Sequence, residues 1–548
     1  VSGKVWAYGY RVGEVRLADI PPVKDSAKYI KSVKKHPDLE SRPVVLSDLG
    51  CVIDGVCLPH CDPLDPDTTL AGVAKRFAFK PPTPESELLL KFKRFVRNWI
   101  EENLDPLAPD SDTSVRTWLE STTYPRHRKE ELMEKWTACE GRLNPKEHYK
   151  CKSFMKDECY PEFKHARAIN SRSDEFKCRV GPIFRLIEKQ VFKCHHFIKR
   201  IPVADRPKYI LELLNKNGAK YMATDYTAYE AQFVAEIMDA CEFQLFDYMT
   251  EGLPEGQDFM ELVRTVLGGE NVCEFKWFTI VLEATRMSGE MCTSLGNGFS
   301  NLMFMLFMCQ EVGCTKVEGV VEGDDGLFSM IGTPPTQEDF ARLGLVIKID
   351  LHDNIEEASF CGLIFDIVDR LNITDPREVL ASIGWSSATY ARSGMNKRKT
   401  LLRCKALSAA YQYPGCPVLV SMSKYLLRVT RSYDVRDTIR KWQNTYEREQ
   451  LIAALSCDLV FLEPPMNTRL LVEKKFGITV EHQLHLERYF DNLETLTRWR
   501  DPILIMLMPD CWKQYWAEYV LPSALGDPGM RWTQCEEYKL TNPLSATV

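Results

Sequence analysis

No apolar run in these 548 residues approaches the ~20 needed for a membrane-spanning helix; the longest are "LMFMLFMC" (Leu302–Cys309) and "ILIMLM" (Ile503–Met508). Membrane attachment is therefore expected through a partner or a segment outside this sequence. No secretory leader pattern opens the sequence, which starts at Val1 without a methionine, as expected of a fragment or a processed product. There is no internal repeat, no low-complexity tract and no G-x-x-x-x-G-K-[ST] loop to cradle phosphates. An excess of positive charge is missing too. The net charge is −7, which argues against a general nucleic-acid binder.

What is present is a large apolar fraction, 45%, enough for several subdomains. The nineteen cysteines are scattered, as expected of mostly reduced thiols in a cytosolic protein. Their tightest cluster is Cys51, Cys57, His60 and Cys61, whose spacing matches no usual zinc pattern. Charge is unevenly spread. Between Lys150 and Arg200 thirteen Lys and Arg face six Asp and Glu, so the remainder carries −14 by subtraction. That reads as a focused basic patch on an acidic body, suited to guiding phosphates. Residues 1–80 mix short strand-like runs with turns such as "PPVKD" and "CDPLDPD". A helix is expected from Thr83, with Thr83 as cap, Pro84 in the first turn and Glu85 at the positive end. Leu88, Leu89, Phe92, Phe95, Val96 and Trp99 then share one face, with Lys91, Lys93, Arg94 and Arg97 on the solvated one. From Ala219 to Asp366 strand and helix patterns alternate, an α+β arrangement. Beyond Asp369 amphipathic helical segments follow at 401–412, 417–430 and 434–456, ending in a Trp-bearing acidic tail.

The candidate chemistry is carried by "KVEGVVEGDDGLFSMIG", Lys316 to Gly332. Two short apolar strands flank a turn in which Gly323 accepts a positive φ and Asp324 and Asp325 are adjacent. Their repulsion calls for a cation and a further acid. Asp225, at the end of the strand-like "AKYMATDY", supplies that acid, although a strand-end Asp alone is an ordinary turn former. Two or three carboxylates plus substrate phosphates suit Mg²⁺, and a pair of such ions can clamp the attacking and leaving oxygens of a phosphoryl transfer. Between these acids lies "RMSGEMCTSLGNGFSNLMFMLFM". Ser288-Gly289 reads as a loop leading into a helix. Thr293, Asn297 and Asn301 form a polar stripe, expected to face a ligand, while Leu295, Phe299, Leu302, Met303 and Leu306 pack inward.

These segments, in this order, resemble viral RNA-dependent RNA polymerases of positive-strand viruses, of the tombusvirus-like and flavivirus-like kind. Asp225 to Glu230 is similar to motif A, Ser288-Gly289-x-x-x-Thr293-x-x-x-Asn297 to motif B, and Gly323-Asp324-Asp325 to motif C. "FMKDECYPEFKHARAIN" resembles motif F, which implies that Lys156, Lys164 and Arg167 meet the incoming NTP. "TWLESTTYPRHRKEEL" loosely resembles the template-contacting motif G. "LGLVIKID" resembles motif D, making Lys348 a candidate general acid, and "SFCGLIF" the motif E hairpin. The chain departs from the family at Glu230, where most members carry Asp. The resemblance implies a right-hand fold with an antiparallel-sheet palm and a mainly helical thumb. An extension at 1–80 would bridge fingers and thumb. Fingers would cover 81–200 and 234–285, the palm 201–233 and 286–369, and the thumb with its tail 370–548. It implies RNA-templated transfer of a nucleoside monophosphate from NTP to a 3′-hydroxyl, with Asp225, Asp324 and Asp325 holding two Mg²⁺ (or Mn²⁺) ions. Glu230, Ser288, Gly289, Thr293 and Asn297 would read the nucleotide. Template RNA, nascent RNA and other viral replicase proteins are the implied partners, in membrane-associated complexes of the host cytoplasm. Two rivals remain: a reverse transcriptase, against which "EGDD" and Asn297 argue, and a non-catalytic RNA-binding protein with a polymerase-like fold, against which the intact acids argue.

Overall fold

Strand alternation explains the central sheet. In the computed structural model four antiparallel strands lie in the order Thr315–Glu322, Asp325–Ile331, Lys220–Tyr226, Ile347–His352. Successive side chains point to opposite faces. Tyr221, Val320 and Leu327 therefore pack with Ile210, Leu211 and Leu214 of the helix Arg206–Leu214. Met222, Val321, Phe328 and Met330 pack on the other side with Phe299, Leu302 and Met303 of the helix Thr293–Glu311. Each such side chain contributes roughly 1.5–3 kcal/mol on full burial. That helix is apolar nearly all round, so it runs through the core, as such helices must.

The structure describes residues 46–520 except 62, 64, 65, 145–147, 149, 163, 388, 389, 391, 392, 443 and 444, together with 6, 7, 10, 11 and 23–31. The tail beyond Val520 and most of the strand-like runs before Leu46 fall outside them. A second sheet runs in the order Lys28–Lys31, Phe278–Glu283, Glu270–Glu274, Lys150–Met155, Ala168–Ser171, with one parallel pair between the third and fourth. Leu46–Asp48 pairs instead with Trp385–Ser387. These two described N-terminal strands thus pair with parts of the chain that lie far apart in sequence.

The helix expected from Thr83 starts at Ser86 and runs to Asn103. Glu85 is held extended instead, its N–H donating to Arg342 O at 2.8 Å and its carboxylate accepting from the Arg342 guanidinium at 3.0 and 3.1 Å. A tertiary contact moves the boundary. Leu88, Phe92, Val96 and Ile100 form the buried face, with Leu89, Phe95 and Trp99 beside it. Past Asp369 helices dominate: Met395–Gln412, Leu419–Val429, Met466–Phe476 and Val480–Asn492 among them. The segment expected as one helix over 434–456 is two, Arg436–Arg440 and Thr445–Ser456. The break is held by Trp442, whose indole donates to Glu447 (2.6 Å) and whose carbonyl accepts from Arg448 (2.7 Å). All the described cysteines are free thiols.

Candidate active site

Gly323 and Asp324 form the two-residue turn of the hairpin whose strands pair Glu322 with Asp325. Gly323 has φ +60°, the left-handed value such a turn requires. The turn is also held from behind. Asn301, fully buried, donates through Nδ2 to the carbonyls of Gly323 (3.3 Å) and Asp324 (3.0 Å) and accepts from Tyr226 Oη (3.2 Å). The ladder pairs Gly326 with Thr224 and Lys348 with Asp225. Continued by one residue, it sets Asp325 opposite Asp225. All three acids stand at one end of the sheet, with Lys348 on the adjoining strand.

Their electrostatics are uncompensated. Enclosure in the cleft, then Asp325 and Glu230, push the Asp324 carboxyl up to about 6, with Arg167 opposing. Asp325 is raised as well, first by enclosure and also by Asp225; the Cys361 thiol, donating to its Oδ2 at 3.5 Å, and Arg167 oppose this. Cys361 lies in the turn joining Ser359–Phe360 to Leu363–Phe365, so that hairpin abuts the acids. A raised carboxyl reports a deficit of positive charge. Clustered oxygen donors with such a deficit fit a hard divalent cation.

The polar stripe divides its work differently from expectation. Thr293 Oγ1 accepts from Gly289 N (3.3 Å) and donates to Glu290 O (3.1 Å), so it shapes the loop. Asn301 holds the turn. Only Asn297 lies between, with Oδ1 accepting from Arg286 Nε at 2.9 Å and its carbonyl accepting from Tyr229 Oη at 3.0 Å. Its amide nitrogen makes no hydrogen bond among the described residues and stays available as a donor. Ser288 and Gly289 sit beneath the second sheet: Asn170 N donates to Ser288 O at 2.6 Å. Gly289 has φ +119°, and a Cβ there would stand 2.7 Å from Asn170 O. Glu230 makes no hydrogen bond to Asn297 and accepts from Ser288 Oγ at 3.1 Å. Arg286 already occupies the Asn297 oxygen, and the 3₁₀ turn Tyr229–Gln232 aims Glu230 at the loop.

Arg286 was not among the expected site residues. It is fully buried, stacked 4.4 Å over Phe233, with Nη2 paired to the equally buried Glu242. Its backbone N–H donates to Glu230 O at 3.0 Å, tying this loop to the 3₁₀ turn that follows the strand carrying Asp225. Beside it Glu290 pairs with buried Arg172 at 2.6 Å. The available signal was a charge among apolar neighbours: Glu242 precedes Phe243, Leu245 and Phe246 on a buried helix.

The Lys150–Met155 and Ala168–Ser171 strands form a hairpin, extended by Lys156 N donating to Arg167 O at 2.8 Å. Lys156 and Arg167 converge on Glu158, at 2.7 Å and 2.6 Å. Lys164 does not join them; it is exposed and pairs with Glu162 at 3.1 Å. The expected basic patch is accordingly not one surface. Arg172 is internal, Lys177 pairs with Asp174, and Lys150 reaches Glu274. The motif G-like segment forms the helices Val115–Ser121 and Arg126–Ala138.

Cys51, Cys57, His60 and Cys61 do not converge as a metal set among the described residues, and His60 pairs with Asp157 at 2.6 Å. The three-donor group found among those residues is His195, His196 and Glu318. There His196 Nδ1 contacts both Gly319 O (2.8 Å) and Glu318 Oε1 (3.2 Å), a hydrogen-bonded cluster.

Residues 264–498 match the family described as viral RNA dependent RNA polymerase. They include the Ser288 loop, the Asn297 helix, the acid hairpin and Lys348, whereas Asp225, Glu230 and the 150–171 hairpin precede them. The chain is a viral RNA-directed RNA polymerase, a nucleotidyltransferase that binds RNA and NTPs and uses a divalent metal. A comparison with curated proteins finds no match for the chain. No described helix is long and apolar enough to cross a membrane.

Proposed function

We propose that this chain is the replicase polymerase of a positive-strand RNA virus, of the tombusvirus-like and flavivirus-like kind, and that it copies and transcribes the genome by a two-metal mechanism. The convergence of Asp225, Asp324 and Asp325 at one sheet end, with two of the three carboxyls raised, carries this reading. These residues would hold two Mg²⁺ ions, or Mn²⁺, which when bound would activate the 3′-hydroxyl and neutralise the leaving pyrophosphate. The protein's own groups would do the positioning, the main source of rate in phosphoryl transfer. Lys156 and Arg167 would take the triphosphate. Asn297 would donate its amide to the ribose, with Glu230 acting through Ser288. Lys348, one strand from Asp225, would protonate the leaving group.

In hand-like terms, the four-stranded sheet is the palm, and its strands all come from 201–233 and 286–369. The second sheet, with strands from 150–171 and 270–283, belongs to the fingers, and the helices after 370 to the thumb. The N-terminal extension would bridge the two, since its strands pair with Phe278–Glu283 and with Trp385–Ser387. Other replicase proteins would carry the enzyme to host membranes. The test is primer extension on an RNA template in Mg²⁺, comparing NTPs with dNTPs. Extension with NTPs alone is expected. Equal use of dNTPs would indicate a reverse transcriptase, and no extension a non-catalytic RNA binder.

A further inference from the structure

We propose that Glu158 is a resident counter-anion: it neutralises Lys156 and Arg167 while no nucleotide is bound, and an incoming triphosphate must displace it from them. The inference rests on the polymerase reading and deepens it, because it assigns a residue that governs nucleotide affinity at the same site.

Four donors meet on this one carboxylate. Arg167 gives Nε to Oε1 (2.6 Å) and Nη2 to Oε2 (2.8 Å), Lys156 Nζ reaches Oε2 (2.7 Å), and Tyr160 Oη donates to Oε1 (2.6 Å). The forked Arg167 contact is the geometry a guanidinium makes equally with carboxylate and with phosphate. Exposure is asymmetric: the Glu158 side chain is 15% exposed, against 42% for Lys156 and 44% for Arg167. Burial opposes its charge, yet Arg167 and Lys156 hold the Glu158 carboxyl down to about 2.

The carboxylate is the enclosed partner and the cations the exposed ones. Tyr160 is itself buried, and its N–H donates to Pro59 O at 2.9 Å. Lys156 and Arg167 are long side chains ending at the surface. Arg167 also acts on Asp324 and Asp325, opposing the rise of both carboxyls. It therefore acts on two anionic groups, one within hydrogen-bond reach and one felt through space. A polyphosphate bound beside the acids carries several charges and outcompetes a single carboxylate for the same donors. A lone phosphate of passing RNA does not. The exchange lowers affinity for every anion but penalises weakly charged or misplaced ones most.

The experiment compares Glu158→Gln with the unchanged enzyme in primer extension, reading KM for NTP and the inhibition constant of inorganic tripolyphosphate. Gln keeps the shape and the Tyr160 contact but removes the charge. Both constants are expected to fall by about threefold to tenfold, as expected when an anion leaves a triphosphate site, with a larger change in KM than in kcat. If Gln disturbs folding, Glu158→Asp draws the carboxylate back from both cations and lowers both constants in the same direction. A rise in KM would overturn the proposal and make Glu158 a residue that orients Arg167. Unchanged constants would overturn it equally. Arg167→Ala separates the two readings: if it leaves KM for NTP unaltered, this hairpin does not bind nucleotide at all. If it raises KM while Glu158→Gln fails to lower it, only the counter-anion role falls.

Discussion

Replacing Asp324 by Asn tests the acid cluster through stability as well as activity. The carboxyl is raised from 3.8 to about 6 in the folded chain, so the folded state binds its proton more tightly than the unfolded one. Its contribution to stability is then full below about pH 4 and is lost as pH rises through about 6. Two units correspond to roughly 3 kcal/mol. Asp324 reaches solvent, and screening reduces this to about 1–2 kcal/mol. Asn imitates the protonated acid and escapes the loss. In metal-free buffer Asp324→Asn is expected to melt with the unchanged protein near pH 4 and a few degrees above it near pH 7.5. Adding Mg²⁺ should stabilise the unchanged protein and hardly move the variant, because one ligand is gone. Nucleotide addition should be abolished. Melting curves at two pH values, with and without Mg²⁺, decide the matter. A variant no more stable at pH 7.5 than the unchanged protein would refute the electrostatic reasoning. Robust elongation by it would refute the metal assignment.

Arg286→Leu strands Glu242 as a buried, unpaired charge, a loss of about 3–5 kcal/mol, and a thermal melt should show a large drop that adding Glu242→Leu largely restores. Asn297→Ala is expected to lower the kcat/KM preference for NTP over dNTP by about tenfold, the loss of one buried hydrogen bond; unchanged discrimination would reject the sugar-reading role. Glu230→Ala should lower it too and Ser288→Ala should reproduce that effect, while Glu230→Asp, the family's usual residue, is tolerated; a Glu230→Ala effect that Ser288→Ala lacks would separate Glu230 from the loop. Lys348→Arg keeps its charge but holds its proton too tightly to donate, so the single-turnover rate should fall by about 10²-fold; an unaltered rate would make Lys348 a surface residue of its strand.

What was legible in the sequence is what short stretches of chain determine. Gly323-Asp324 between two apolar runs specifies a tight hairpin turn, and the spacing of Leu295, Phe299 and Leu302 specifies an inward helix face. Both stand as read. Periodicity made Thr293, Asn297 and Asn301 equivalent, and they are not. Their neighbours come from elsewhere: a loop end meets Thr293, a guanidinium meets Asn297, and a turn's carbonyls meet Asn301. The Arg286–Glu242 pair spans 44 positions, so the charge of Glu242 among apolar neighbours marks a buried acid without naming its partner. Counting charges failed for a related reason. Thirteen cations between Lys150 and Arg200 look like one patch, but Glu290 takes Arg172 into the interior, and Glu158 gathers Lys156 and Arg167. The count answers how much positive charge there is, and pairing decides where it acts. For the acid hairpin pairing is decisive: the Arg167 field that opposes the rise of Asp324 and Asp325 is shared with Glu158, and both carboxyls remain raised. The protein's own cations leave the acids short of positive charge, and under the proposed reading a cation from solution, together with the substrate it accompanies, would complete the site.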